Sequence, residues 1–308
     1  MGRYLIRLSW LRSLTICVVC TISLTWALAG CDKAHSDSVR LTNLGMKALS
    51  AGDLREARIR FQEAVEIYPE NAKAHYGLGV MLFEGGENDR AKQHLKEATK
   101  LDNQLTEAFY QLGAIALEES KADEAEQELR RALDLDPEHT AALFSLGQIH
   151  ERRGELKQAD RNYRQSVTLN PLSPQAFLAL ARLYQHVGAE EEAEAVLREG
   201  LRICSTNSVD SVENLSLLYN ELGVMLQAQG QYGQAVETLL KAIRLPQAQP
   251  QTVFNLGWAY ASKGESALAL KYFNQFIQLS DDGASVRVAR DVARHLAQRL
   301  AQQRGKKS

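Results

Sequence analysis

Cysteine is scarce in this sequence. Its 308 residues hold four, and Cys17 and Cys20 lie in the apolar opening segment, which leaves Cys31 and Cys204 for the rest. Two cysteines cannot build a framework of several disulfides, and they do not stand at the spacing of a metal-binding pair. Proline is almost as rare, with six, and aromatics make up 7%. Abundant Ala, Leu, Gln, Glu and Arg favour helix throughout. Charge is nearly balanced, 36 basic against 38 acidic residues, which argues against a general nucleic-acid binder. Catalytic signatures are missing as well: no GxxxxGK[ST] phosphate loop, no GxSxG and no HExxH. Seven histidines are scattered along the chain, and its acids fit solvated helix faces and turns. The sequence therefore predicts no enzyme, no catalytic residue, no cofactor, no metal and no small-molecule substrate.

Long uncharged runs are absent except at the start. Met1 to Arg12 carries Arg3, Arg7 and Arg12 and no acid, and Ser13 to Leu28 carries no charge. A basic region, an apolar region and a small-residue exit form the order of an export signal. The uncharged run is shorter than the roughly 20 residues of a comfortable spanning helix. It ends in Leu28-Ala29-Gly30-Cys31, which resembles the lipobox of bacterial lipoproteins. That resemblance implies cleavage before Cys31, a diacylglycerol on its thiol and an acyl chain on its new amino group. Residues 1–30 are then the signal peptide and 31–37 the lipidated tether. Several acyl chains, each contributing about 0.8 kcal/mol per buried methylene, hold a protein durably on a bilayer. An uncleaved anchor with an incidental cysteine is the competing account. Cleavage would remove three positive charges and no negative one, which moves the formal charge from −2 to −5.

The rest of the chain repeats itself. Gly45, Gly79, Gly113 and Gly147 stand 34 residues apart, and Ala181 takes the next step. After a slip of eight residues the phase resumes at Gly223 and Gly257. A leucine precedes each of these small residues, from Leu44 to Leu256. Twelve residues later comes alanine: Ala57, Ala91, Ala125, Ala159, Ala193, Ala235 and Ala269. Four further on stands a large residue: Phe61, Leu95, Leu129, Tyr163, Leu197, Leu239 and Phe273. Pro69, Pro137 and Pro171 close three of the repeats.

This pattern resembles the tetratricopeptide repeat, over seven repeats beginning at residues 38, 72, 106, 140, 174, 216 and 250. The resemblance implies an all-α, right-handed α-solenoid of helix-turn-helix units, each with a helix A and a helix B. Glycine inside a helix costs about 1 kcal/mol against alanine, so its recurrence points to packing, and helix-A glycine is expected to face helix-B alanine. A single unit cannot bury its apolar face alone, whereas stacked units share a core. Turn glycines are expected at Gly52, Gly86, Gly154, Gly188, Gly230 and Gly264. Repeats one to five occupy 38–207 and repeats six and seven 216–283. Residues 208–215 read as a loop with a longer first helix, or as a bend dividing five repeats from two. Val286, Ala289, Val292 and Leu296 then form one apolar helical face over 284–303, opposite Arg287, Arg290 and Arg294. Such a helix closes the exposed end of a solenoid; a basic helix for a membrane or partner is the alternative. Residues 304–308 are a basic tail.

In this repeat family the concave groove is lined by helix A, with ligands met largely by the second, fifth, ninth, twelfth and thirteenth residues of each unit. The resemblance places Tyr76, Tyr110, Phe144, Phe254 and Trp258 there as candidate protein-binding residues. Rings so placed can anchor an apolar or amphipathic segment, or merely complete packing between neighbouring A helices. The basic and asparagine set that grips a C-terminal carboxylate in chaperone-binding relatives is not reproduced.

Together the two resemblances imply a lipid-tethered scaffold facing the periplasm, binding proteins or peptide segments, with the membrane reached through the N-terminal lipid. Type IV pilus assembly factors that help a secretin reach the outer membrane combine these features. So do adaptors for cell-wall enzymes or polysaccharide export, and subunits of permanent envelope complexes. Asp32 after the lipobox cysteine is an inner-membrane retention signal in enteric bacteria, whereas resemblance to pilus assembly factors favours the outer membrane.

Overall fold

The computed structural model describes residues 32–207, 212–246 and 249–305. All regular structure among them is α-helical. Helix α1 covers 32–50 and pairs with α2 (Leu54–Ile67); α3 (Ala72–Glu84) pairs with α4 (Asn88–Leu101), and α5 (Thr106–Glu118) with α6 (Ala122–Leu135). The series continues with α7 (Thr140–Arg152) and α8 (Leu156–Leu169), then α9 (Pro174–His186) and α10 (Glu190–Asn207). Next come α11 (Val212–Ala228) with α12 (Tyr232–Arg244), α13 (Pro250–Lys263) with α14 (Ser266–Leu279), and a last helix, α15 (Gly283–Gly305). The chain forms two compact bodies, one up to Ala142 and one from Leu143.

Each pair turns on the same hydrogen bond. The residue after the turn donates its N–H to a carbonyl five back: Asp53 to Ala48, Glu87 to Leu82, Lys121 to Ala116, Glu155 to His150, at 2.8–2.9 Å. This closure requires a left-handed residue just past the helix end. The six expected glycines supply it, with φ between 74° and 88°. In the third repeat Ser120 takes the same place at φ 61°, bearing the steric cost of a Cβ there.

The packing inside a pair differs from expectation in one respect. A Cβ on Gly45 would lie 2.7 Å from the Phe61 ring, on Gly79 2.7 Å from Leu95, and on Gly147 2.5 Å from Tyr163. The glycine therefore receives the large residue one turn beyond the alanine, and not the alanine itself. Helical side chains lean toward the N-terminus of their own helix, so the large residue covers the turn that carries the alanine. Alanine takes part through its carbonyl, 3.3 Å from those Cβ points at Gly79 and Gly113, and all seven alanines are fully buried. Phe61 also reaches the next repeat, where a Cβ on Gly77 would be 2.5 Å from its ring.

Gly77 shows which side of helix A meets the preceding repeat. It is the sixth residue of its repeat, and Ala74 and Met81, third and tenth, are buried with it. In the first repeat those three positions are Arg40, Asn43 and Lys47, all exposed. Helix α15 carries the helix-A register forward by 34 residues. Its Val286, Ala289 and Ala293, again third, sixth and tenth, are buried. The positions that α13 buries as Val253, Leu256, Gly257 and Tyr260 are Arg287, Arg290, Asp291 and Arg294 in α15, all exposed. Around the eight-residue slip, α10 and α11 run to 18 and 17 residues, against 14 for α8 and 13 for α12. Residues 212–215 open α11, and 208–211 lie outside the described residues.

Candidate functional site

Cys31, the expected lipid attachment point, lies outside the described residues. The five candidate rings are all described, and all are half-buried on A helices. In the amino-terminal body the Gln111 side chain hydrogen-bonds the Tyr76 hydroxyl, and burial, with the charge of Glu107, pushes that phenol's pKa up. Tyr110 packs its ring on His139 at a centroid distance of 4.9 Å, and burial raises its pKa too. In the carboxy-terminal body Phe144 lies 5.6 Å from Tyr163. Phe254 joins Trp258, Phe273 and Phe276 at 6.2, 5.7 and 4.9 Å. Each ring thus has a packed side and a part left to solvent.

A concave cavity of about 600 Å3 opens in the carboxy-terminal body along α7, α9 and α11. Phe144, Leu178, Ala179 and Leu217 give it an apolar floor, and Gln148, Gln175, Arg152, Arg182 and His186 give it polar walls. These are the second, fifth, ninth and thirteenth residues of successive repeats, or near neighbours of them. Beneath the floor Tyr163 donates its hydroxyl to Glu151 at 2.7 Å. Burial raises the pKa of that phenol, and the bond to the Glu151 carboxylate adds to the effect, so Tyr163 stays protonated and fixes Glu151. The row of phase-equivalent rings does not include Arg152 and His186. The signal was nevertheless in the register, because both are thirteenth in their repeats.

Two of the scattered histidines meet. His75 is buried at the fourth position, where other repeats carry Leu41, Phe109, Leu143, Phe177, Tyr219 and Val253. Its Nε2 lies 3.0 Å from the Pro69 carbonyl and its Nδ1 3.1 Å from His94 Nδ1. A carbonyl only accepts, so His75 carries its proton on Nε2 and accepts from His94 through Nδ1. Burial is the main cause holding the His94 pKa below its ordinary 6.5, with the neighbouring His75 ring and the Arg90 charge adding to it. The unfolded chain therefore takes up this proton first, and stability falls as the pH drops below that ordinary value. His94→Asn is expected to flatten the dependence, read from urea midpoints at pH 7.5 and 5.5. An unchanged dependence in the variant would move the effect elsewhere. Among the described residues no three His, Cys, Asp or Glu side chains group as a metal site, and no helix is long and apolar enough to cross a membrane.

Known proteins resemble this chain in sequence over a part of it or in fold. The photosystem I assembly protein Ycf3 of Rippkaea orientalis (strain PCC 8801 / RF-1) is 31% identical over 68 residues, 21% of this chain and 39% of that protein. The chain thus spans about two fifths of the length of the curated relative it matches. A tetratricopeptide repeat protein from Parabacteroides merdae ATCC 43184 superposes with a TM-score of 0.57 at 16% identity, over 85% of this chain and 99% of its own. Pseudomonas aeruginosa pilF does so with 0.56 at 18%, over 85% and 99%. At these identities the likeness is one of fold. Two family profiles, both described as tetratricopeptide repeat, match residues 48–114 and residues 110–159, 153–208 and 221–284. The second alone covers more than half of the sequence, and the chain belongs to the tetratricopeptide-repeat family.

Proposed function

We propose that this protein is a lipid-anchored, non-catalytic scaffold that faces the periplasm and supports assembly of an envelope machine by holding protein segments on its helix-A faces. The observation that carries the binding role is the recurrence of half-buried rings at the fifth position of helix A. Such rings are already ordered in the free protein, so they lose little further entropy on binding. The lipobox carries the anchoring. Likeness in fold to pilF and the assembly role in the name of the matched Ycf3 agree with an assembly factor, and type IV pilus or secretin biogenesis is the machine we favour. The outer membrane is the favoured site, which sucrose-gradient fractionation of the native host checks.

Tyr76→Ala with Tyr110→Ala tests the binding role. The double variant should weaken partner capture from the envelope by about 2 kcal/mol or more, the scale of a binding hot spot. Its melting temperature should fall less than that of a core variant. Undiminished capture from a protein that melts early would assign the two rings to packing alone.

A further inference from the structure

We infer that the helix-A face of the carboxy-terminal body takes an extended protein segment in which a side-chain carboxylate stands beside an apolar residue. The inference rests on the protein-binding role proposed above and adds the chemistry of the partner. Phe144, Leu178 and Leu217 form an apolar floor within the cavity of about 600 Å3. The charges above that floor are unevenly committed. Glu151, the one acid of the lining, is held by the Tyr163 hydroxyl at 2.7 Å. Arg182 reaches Glu221 with one nitrogen at 3.1 Å and is itself exposed. Arg152 is exposed and pairs with no carboxylate among the described residues.

Position in the repeat makes this cation informative. Arg152 and His186 are the thirteenth residues of consecutive repeats, and both line the cavity. In the amino-terminal body the second and third repeats carry Glu84 and Glu118 at this position, and the first carries the neutral Ser50. These five residues are all exposed, so packing does not dictate the change of sign. The core seats are alike on both sides of it. A guanidinium at the rim of a concave apolar surface presents a fork that matches a carboxylate bidentately, and the concavity strengthens its field. An apolar side chain on the floor and a carboxylate on Arg152 would fit neighbouring residues of one extended segment.

The test uses the full-length protein in detergent and a fluorescein-labelled, C-terminally amidated 12-residue peptide of alternating glutamate and leucine. Its counterpart replaces every glutamate by lysine. Fluorescence anisotropy should show the glutamate peptide at least tenfold tighter, with affinity falling as salt rises. Arg152→Glu should weaken it at least tenfold, Arg152→Lys should weaken it less, and Glu84→Gln in the other body should leave it unchanged. Equal binding of the two peptides, no binding of the glutamate peptide, or indifference to Arg152→Glu would overturn the inference. A free-acid peptide that binds where its amidated form does not would shift recognition to a chain end and overturn it as well. Phe144→Ala separates this failure from that of the wider proposal. If it releases the lysine peptide, the groove binds protein and only the acidic class is wrong. If neither peptide binds and partner capture survives Phe144→Ala, the binding surface lies elsewhere.

Discussion

Phe61→Ala is expected to lower the unfolding free energy by about 3–5 kcal/mol, the range for deleting a buried ring. The ring has no exposed surface and fills two glycine seats at once, Gly45 in its own repeat and Gly77 in the next. A glycine backbone on either side cannot extend a side chain into the void, so relaxation recovers little. In a repeat protein stability is carried by single repeats and their nearest-neighbour interfaces. The loss should therefore concentrate in α1 to α4. Amide hydrogen exchange should show those helices losing protection, while α11 to α14 keep theirs. A denaturation midpoint equal to that of the parent would show that the ring does not bridge the two repeats.

Cys31→Ser is expected to abolish lipid attachment altogether, since a hydroxyl cannot form the thioether that the proposed anchoring requires. Labelled palmitate should enter the parent and not the variant, and the variant should accumulate with residues 1–30 still attached. Export itself should persist, because the basic and apolar parts of the leader are untouched. Equal label in the variant would refute the tether. Label in neither protein, with both held in the membrane, would favour the uncleaved anchor.

The fold was legible because its determinants are local and repeated. Leucine, small residue, alanine and large residue recur at fixed spacing, and each repeat checks the others. Ser120 was not legible, since the third repeat lacks the glycine that marks the turn elsewhere and only the backbone reveals its left-handed φ. The partner of the helix-A glycine was not legible either, because residue spacing says which face a side chain occupies and not how far it leans along the helix. The contact of His75 with His94 joins different helices 19 residues apart, and no periodicity announces it. Of the candidate site, the rings could be read from their fifth and ninth positions. Arg152 and His186 could not be ranked until the cavity showed which charges were already satisfied.

The first repeat and α15 carry a consequence for how this chain could change in length. Polar residues at the third, sixth and tenth positions of α1 refuse a unit stacked before it, and the arginines of α15 refuse a helix B after it. Each terminus of the array is thus written in side chains that belong to a different subset of the same register. The interior repeats carry neither mark, so duplicating or deleting a whole 34-residue repeat between them leaves both stops in place. Repeat number could then change while the outer faces of α1 and α15 stay polar.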